Sequence, residues 1–149
     1  MSRKDTEKTS LLIDHFRNQR CRGTVDTPDL QHEVVNRRCG DRLSFSARLK
    51  NDRVDELKFE GEGCFYCLAS ASIACSELSG MQLPDAVRKT AQIRAWLGGD
   101  ERQAPDSLEA ELTSLGEIKA YPMRIGCVDL AWKGLETLLA SGTEDGSGS

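Results

Sequence analysis

The chain has 149 residues, of which 38% are hydrophobic and 30% charged, and a formal net charge of −4. A chain of this size buries roughly 70% of its unfolded surface in one core, so no disulfide staple is needed, and the composition excludes a membrane protein and wholesale disorder. Residues 1–53 carry 12 basic and 8 acidic side chains and residues 54–149 carry 8 and 16, an asymmetry too small for the clustered basic face that nucleic acid requires.

The polar N-terminus shows no secretory signal, and no apolar run nears the roughly 20 residues that span a bilayer. A cytoplasmic location is expected, with no membrane or nucleic-acid partner. In a reducing compartment six cysteines read as metal ligands, reactive groups or small core residues rather than disulfides. Histidine is scarce, with only His15 and His32.

Residues 7–19 form a short helical pattern with Leu12, His15 and Phe16 on one face. Cys21 to Asp29 is a Gly/Pro-punctuated connection, and a first strand follows over 31–37. Residues 42–50 alternate strictly, placing Leu43, Phe45, Ala47 and Leu49 on one face of a half-buried strand. Asn51-Asp52-Arg53 supplies turn chemistry, and Val54 to Glu60 returns as the second arm of an antiparallel hairpin ended by Gly61-Glu-Gly63. Phe65 to Leu78, rich in small residues, predicts a buried helix ending at Ser79-Gly80. Pro84 suits the first turn of a helix running to about Leu97. A polar loop over 100–107 leads to a short helix, Leu108 to Leu115, stopped by Gly116. The last helix, Arg124 to Ala140, carries Ile125, Val128, Trp132, Leu135 and Leu139 at helical spacing. One domain over 1–140 and a disordered, low-complexity tail over 141–149 are expected.

Three cysteines fall at element boundaries beside a glycine: Cys39 in Asn36-Arg-Arg-Cys-Gly-Asp41, Cys64 in Gly61-Glu-Gly-Cys64, and Cys127 in Arg124-Ile-Gly-Cys127. Cys64 and Cys127 lie near predicted helix N-termini, whose dipole favours thiolate. Cys39 has Arg37, Arg38 and Arg42 nearby, and cationic neighbours lower a thiol pKa. All three are expected as thiolates. Asp41 can add an oxygen, giving three sulfurs and a carboxylate suited to a tetrahedral ion such as zinc. Ligands so far apart in sequence must be brought together by the fold.

Asn-x-x-Cys-Gly-Asp-Arg, then Lys-Phe-Glu-Gly-Glu-Gly-Cys with Ala-Ser-Ala-Ser, then Arg-Ile-x-Cys before Ala-Trp-Lys-x-Leu-Glu, together resemble the SufU-type branch of the IscU/NifU N-terminal family of iron–sulfur assembly proteins. The resemblance runs from about Leu11 to Leu139. It implies an α+β fold, a small antiparallel three-stranded sheet packed against helices, with metal ligands at Cys39, Asp41, Cys64 and Cys127. Gly126 stands where the scaffold branch has histidine, and an extra helical segment, about Pro84 to Gly116, also favours the zinc-binding sulfur-transfer branch. The implied function is zinc-dependent sulfur transfer during iron–sulfur cluster assembly. A PLP-dependent cysteine desulfurase of the SufS type docks, one of its histidines displaces Cys39 from zinc, and Cys39 accepts persulfide sulfur for downstream assembly components. The alternative is a scaffold holding iron or a [2Fe–2S] cluster. Arg124 is expected to steady the site or the incoming sulfur.

The chain departs from the family pattern at Arg37, where proline is usual, at Gly126, where the zinc branch commonly has lysine, and at Cys67, where a small residue without a thiol is usual. Cys67 is read first as a buried helix residue, with a relay thiol or alternative ligand as the functional option. Cys75 reads as core and Cys21 as a loop thiol. His15 is read as packed on a docking helix rather than as a ligand or proton shuttle, and His32 as a strand or loop histidine. Trp96 and Trp132 read as core or interface anchors. Arg37, Arg38 and Arg42 are the leading candidates for partner docking.

Overall fold

The alternating segment around Phe45 becomes the middle strand of a three-stranded antiparallel sheet in a computed structural model that describes residues 3–99 and 110–148, with side chains described over 10–99 and 112–142. In chain order the elements are α1 (Arg3–Arg17), β1 (Leu30–Asn36), β2 (Asp41–Lys50), β3 (Arg53–Glu62), α2 (Phe65–Leu78), α3 (Leu83–Gly98), α4 (Ala110–Ser114) and α5 (Ile125–Gly148). Two 3-10 segments, Leu115–Ala120 and Pro122–Arg124, join α4 to α5. This is the expected α+β architecture.

The sheet order is β1-β2-β3. Asn36 pairs with Asp41 at one end of the first hairpin, and Arg42 pairs with Glu62 at the same end of the second. Leu43, Phe45 and Ala47 are buried, as the period of two requires. Ser46, on the opposite parity, is also covered, and its hydroxyl accepts the Val25 N–H at 2.9 Å. At the far end Asn51 and Asp52 adopt φ of 53° and 61°, the pair of left-handed residues that a tight hairpin turn needs.

Helix α2 follows the expected bounds and is covered on nearly all sides, so its few polar groups must be satisfied internally. Ser70 Oγ donates to the Val128 carbonyl at 2.8 Å and accepts from Trp132 Nε1 at 3.1 Å. Ser72 Oγ accepts the Arg20 N–H and lies 2.8 Å from His15 Nδ1. His15 is thus a packed histidine, as expected, and Trp96 and Trp132 are core residues. Helix α5 lies against β1 and β2. A Cβ on Gly134 would sit 2.8 Å from Val34 Cγ1 and 3.0 Å from Phe45 Cε2, so a bare helix face permits the close approach.

Two element boundaries differ most from the sequence reading. The chain after α4 does not stop at Gly116 but continues as 3-10 helix to Ala120; the predicted start at Leu108 and the loop over 100–107 lie outside the described residues. Helix α5 runs past Ala140 to Gly148, into the stretch read as a tail. Gly142 is buried against Leu30, Leu49 and Leu83. Tertiary packing, which periodicity does not encode, carries the helix past its expected end.

Two measurements probe this frame. Gly61 has φ of +147°, and a Cβ there would lie 2.0 Å from the Arg42 carbonyl oxygen. Gly61→Ala is expected to cost about 3 kcal/mol in urea melts, whereas Gly98→Ala, which meets nothing within 4 Å, should change stability by no more than ~1 kcal/mol. Burial first, then the neighbouring Cys21, holds the Cys75 thiol protonated well above its ordinary value of 9.0. Above that pH the unfolded chain releases the proton and the folded chain keeps it, so stability falls as pH rises, by up to ~1.4 kcal/mol per pH unit from this thiol. Cys75→Ala should flatten the slope, and an unchanged slope would refute the assignment.

Candidate metal centre

The site lies where the β1–β2 turn, the β3–α2 junction and the start of α5 meet. Residues 37–40 form the turn between β1 and β2. It is closed by the Gly40 N–H donating to the Asn36 carbonyl at 2.8 Å, with the Arg38 N–H donating to Asn36 Oδ1 at 3.2 Å. Gly40, at φ +75°, supplies the left-handed step. Cys39 is thereby presented on an exposed turn, while Asp41, the first residue of β2, is only 1% exposed.

Cys64 is the residue preceding the first turn of α2. Its N–H donates to Asp41 Oδ1 at 3.1 Å, so the helix N-terminus meets a carboxylate, the charge it favours. Cys127 lies in the first turn of α5 and is fully buried. Its Sγ is 3.6 Å from Cys39 Sγ. Ligand atoms of Cys39, Asp41 and Cys127 all lie within 4.8 Å of one another. These three residues come from two separate segments, and the Cys64 N–H brings the β3–α2 junction against the same carboxylate. The Cys64 thiol is beside this trio, close enough to Cys127 to act on its titration, but is not part of the 4.8 Å group.

The expectation that all three cysteines are thiolates is corrected at Cys127. Burial first, then hydrogen bonding with Cys39 and Cys64 and the charge of Asp41, pushes its thiol far above the usual range. Desolvation outweighs the helix dipole at this depth. Asp41 Oδ2 is buried and has no hydrogen-bond partner, an arrangement that is costly for a carboxylate. A Cys127 thiol that resists ionisation and an oxygen without a donor share one remedy, a divalent cation, which deprotonates a coordinating thiol and satisfies the oxygen. The mixed sulfur and oxygen donor set suits zinc or iron rather than magnesium or calcium.

Gly63 explains why the site tolerates no side chain at its edge. A Cβ there would lie 2.8 Å from Cys67 Sγ and 3.0 Å from Asp41 Oδ1. Cys67 is fully buried, as expected, and burial first, then Asp41, Cys64 and Cys39, keeps its thiol protonated. Arg37, Arg38, Arg42 and Arg124 are all exposed, and their side chains form no hydrogen bond or ion pair among the described residues. Arg124 ends the 3-10 segment before α5 and acts on Tyr66 beside Cys64. Sequence reasoning missed the exposed apolar side chains just before Arg124: Met123 is 85% exposed and Tyr121 53%. Their signal was available in Tyr121-Pro-Met123, a stretch without the spacing of a buried helix face.

Helix α5 is held in place by α3. Arg94 makes a bidentate pair with Asp129, both contacts at 2.9 Å, and reaches Glu136 at 2.8 Å. Asp129 is two residues beyond Cys127, so α3 fixes the turn of α5 that carries this thiol.

Comparison with known proteins agrees with this geometry. The model of the NifU-like N-terminal domain matches residues 7–128. The zinc-dependent sulfurtransferase SufU of Bacillus subtilis is 32% identical over 133 residues, covering 89% of this chain and 88% of that protein. The iron–sulfur cluster assembly scaffold protein IscU of Thermotoga maritima is 27% identical over 131 residues, covering 88% and 91%. The crystal structure of the SUF-system protein FiSufU from Fervidobacterium islandicum superposes with a TM-score of 0.79 at 25% identity, covering 87% of this chain and 93% of that one. With the sheet, the helices and the clustered cysteines in their places, the chain belongs to the NifU-like N-terminal domain family.

Proposed function

We propose that the chain acts in iron–sulfur cluster assembly as a zinc-dependent sulfur acceptor, taking persulfide sulfur onto Cys39 from a PLP-dependent cysteine desulfurase of the SufS type and passing it to downstream assembly components. One observation carries this reading: of the clustered donors, Cys39 alone is exposed, on a turn whose sulfur lies 3.6 Å from a buried one. Asp41, Cys64 and Cys127 hold the ion. When bound, zinc keeps coordinated sulfur deprotonated without redox chemistry of its own.

The transfer is redox neutral. Cys39 attacks the outer sulfur of the donor's cysteine persulfide; a new sulfur–sulfur bond forms on Cys39, the donor's sulfur–sulfur bond breaks, and the donor cysteine leaves as thiolate. Arg37, Arg38 and Arg42 surround the turn and offer unpaired cations to an acidic partner surface. Arg124, exposed three residues before Cys127, steadies the negative sulfur. Relatives include both a sulfurtransferase and scaffold proteins. Neither histidine stands beside the cluster: His15 packs on Ser72 and His32 lies in β1. Gly126, adjoining Cys127, offers no donor in its side chain. This composition supports sulfur transfer over cluster scaffolding.

The purified protein is expected to hold one zinc ion and to accelerate a SufS-type desulfurase. Cys39→Ala should return cysteine turnover to the rate of the desulfurase alone. A stable visible chromophore after reconstitution with iron and sulfide, transferable to an apoprotein and formed without any effect on the desulfurase, would establish the scaffold reading instead.

A further inference from the structure

The exposed and the buried sulfur of the cluster already meet. Cys127 Sγ lies 3.6 Å from Cys39 Sγ, which is non-bonded contact, and a disulfide needs about 2.0 Å. The remaining ~1.6 Å falls to a turn with room to supply it: residues 37–40 are all exposed, and a Cβ on Gly40 would meet nothing within 4 Å. Cys127, by contrast, is 0% exposed and fixed in the first turn of α5. A small oxidant in water therefore meets Cys39 first, and the sulfur waiting behind it is Cys127. Cys64 is less well placed on both counts, being half-buried and outside the 4.8 Å group that Cys39, Asp41 and Cys127 form. Exposure sets which thiol reacts first, and contact sets which one resolves it.

We propose that Cys39 and Cys127 form a peroxide-responsive thiol switch that shuts the sulfur-accepting site when the ion is lost. The Cys39 sulfur attacks one oxygen of hydrogen peroxide; the oxygen–oxygen bond breaks, one oxygen stays on Cys39 as sulfenic acid, and the other leaves as water. The Cys127 sulfur then attacks the sulfenic sulfur. The Cys39–Cys127 bond forms, the sulfur–oxygen bond breaks, and the hydroxyl leaves as a second water with the Cys127 proton. Two thiols are oxidised to one disulfide, and one peroxide is reduced to two waters. A dithiol reductant reverses the change by attacking the accessible Cys39 sulfur, and is itself oxidised to a disulfide. The inference rests on the zinc reading for its consequence: the ion and the disulfide claim the same two sulfurs, so each excludes the other. Reversible closure also spares Cys39 from the irreversible sulfinic and sulfonic acids.

The test reads covalent state and needs no desulfurase. Zinc-loaded protein and protein stripped with a chelator are treated with hydrogen peroxide, alkylated, and digested without reductant for peptide mass spectrometry. Stripped protein should yield the Cys39 and Cys127 peptides joined by a disulfide, and zinc-loaded protein should form this species at least about tenfold more slowly. The oxidised form should bind zinc more than about 100-fold more weakly, beyond the loss typical of groups behind a ligand, and dithiothreitol should restore binding. Cys127→Ala should leave a sulfenic acid on Cys39 that dimedone traps. Cys39→Ser, which alters only an exposed turn, should leave Cys127 a free thiol. A disulfide joining Cys64 to either partner, a dimer linked through two copies of Cys39, or Cys39 driven to sulfinic acid with Cys127 still reduced overturns the switch while the zinc reading stands. If the untreated protein takes up no zinc, the zinc reading fails, and with it the mutual exclusion of metal and disulfide, whichever bond is found.

Discussion

Burial of the Asp41 carboxylate is the constraint around which the site is organised. One oxygen is met by the Cys64 N–H at the N-terminus of α2, and the other has no donor. A carboxylate taken out of water costs several kcal/mol unless it is paired. The turn that carries Cys39, the glycine junction before α2 and the first turn of α5 all converge on this group. Three chain segments are thereby committed to one small volume, with ligand atoms of Cys39, Asp41 and Cys127 close enough for one cation to share. The asymmetry of the cluster follows: Asp41 and Cys127 are sealed in the interior while Cys39 remains on the surface.

The scaffold behind the site is correspondingly rigid. Helix α2 is walled in by α1, α5 and the sheet, and its serines are tied to Val128, Trp132, His15 and Arg20. Gly134 lets α5 approach the sheet, and Arg94 clamps α5 from the side of α3. These contacts fix the depth of Cys127 relative to Asp41. The exposed sulfur is left to a short turn, which suits the proposed encounter of Cys39 with other proteins.

Much of this was legible in the sequence because it is local. The alternation of Leu43, Phe45 and Ala47, the turn at Asn51-Asp52, and the small-residue helix from Phe65 to Leu78 each state their own structure. Motif resemblance brought Cys39, Asp41, Cys64 and Cys127 into one proposal, and the structure clusters three of their ligand atoms with Cys64 alongside. What depends on tertiary placement was not legible. The sequence placed Cys127 at a helix N-terminus and suggested a thiolate, but its burial reverses that preference. Nor could periodicity show that Gly142 is packed beneath Leu30 and Leu83, which extends α5, or that a 3-10 path carries the chain through Gly116. The exposure of Met123 and the proximity of Cys67 to Asp41 likewise emerge only in three dimensions.

The central claim is that the exposed thiol of this cluster is the one that receives sulfur. Its most direct test is peptide mass spectrometry after the zinc-loaded protein is incubated with a SufS-type desulfurase and cysteine, followed by alkylation under conditions that preserve persulfides. The account predicts one added sulfur atom on the peptide containing Cys39 and none on those containing Cys64, Cys67 or Cys127. Sulfur on a buried cysteine while Cys39 remains a simple thiol would contradict it.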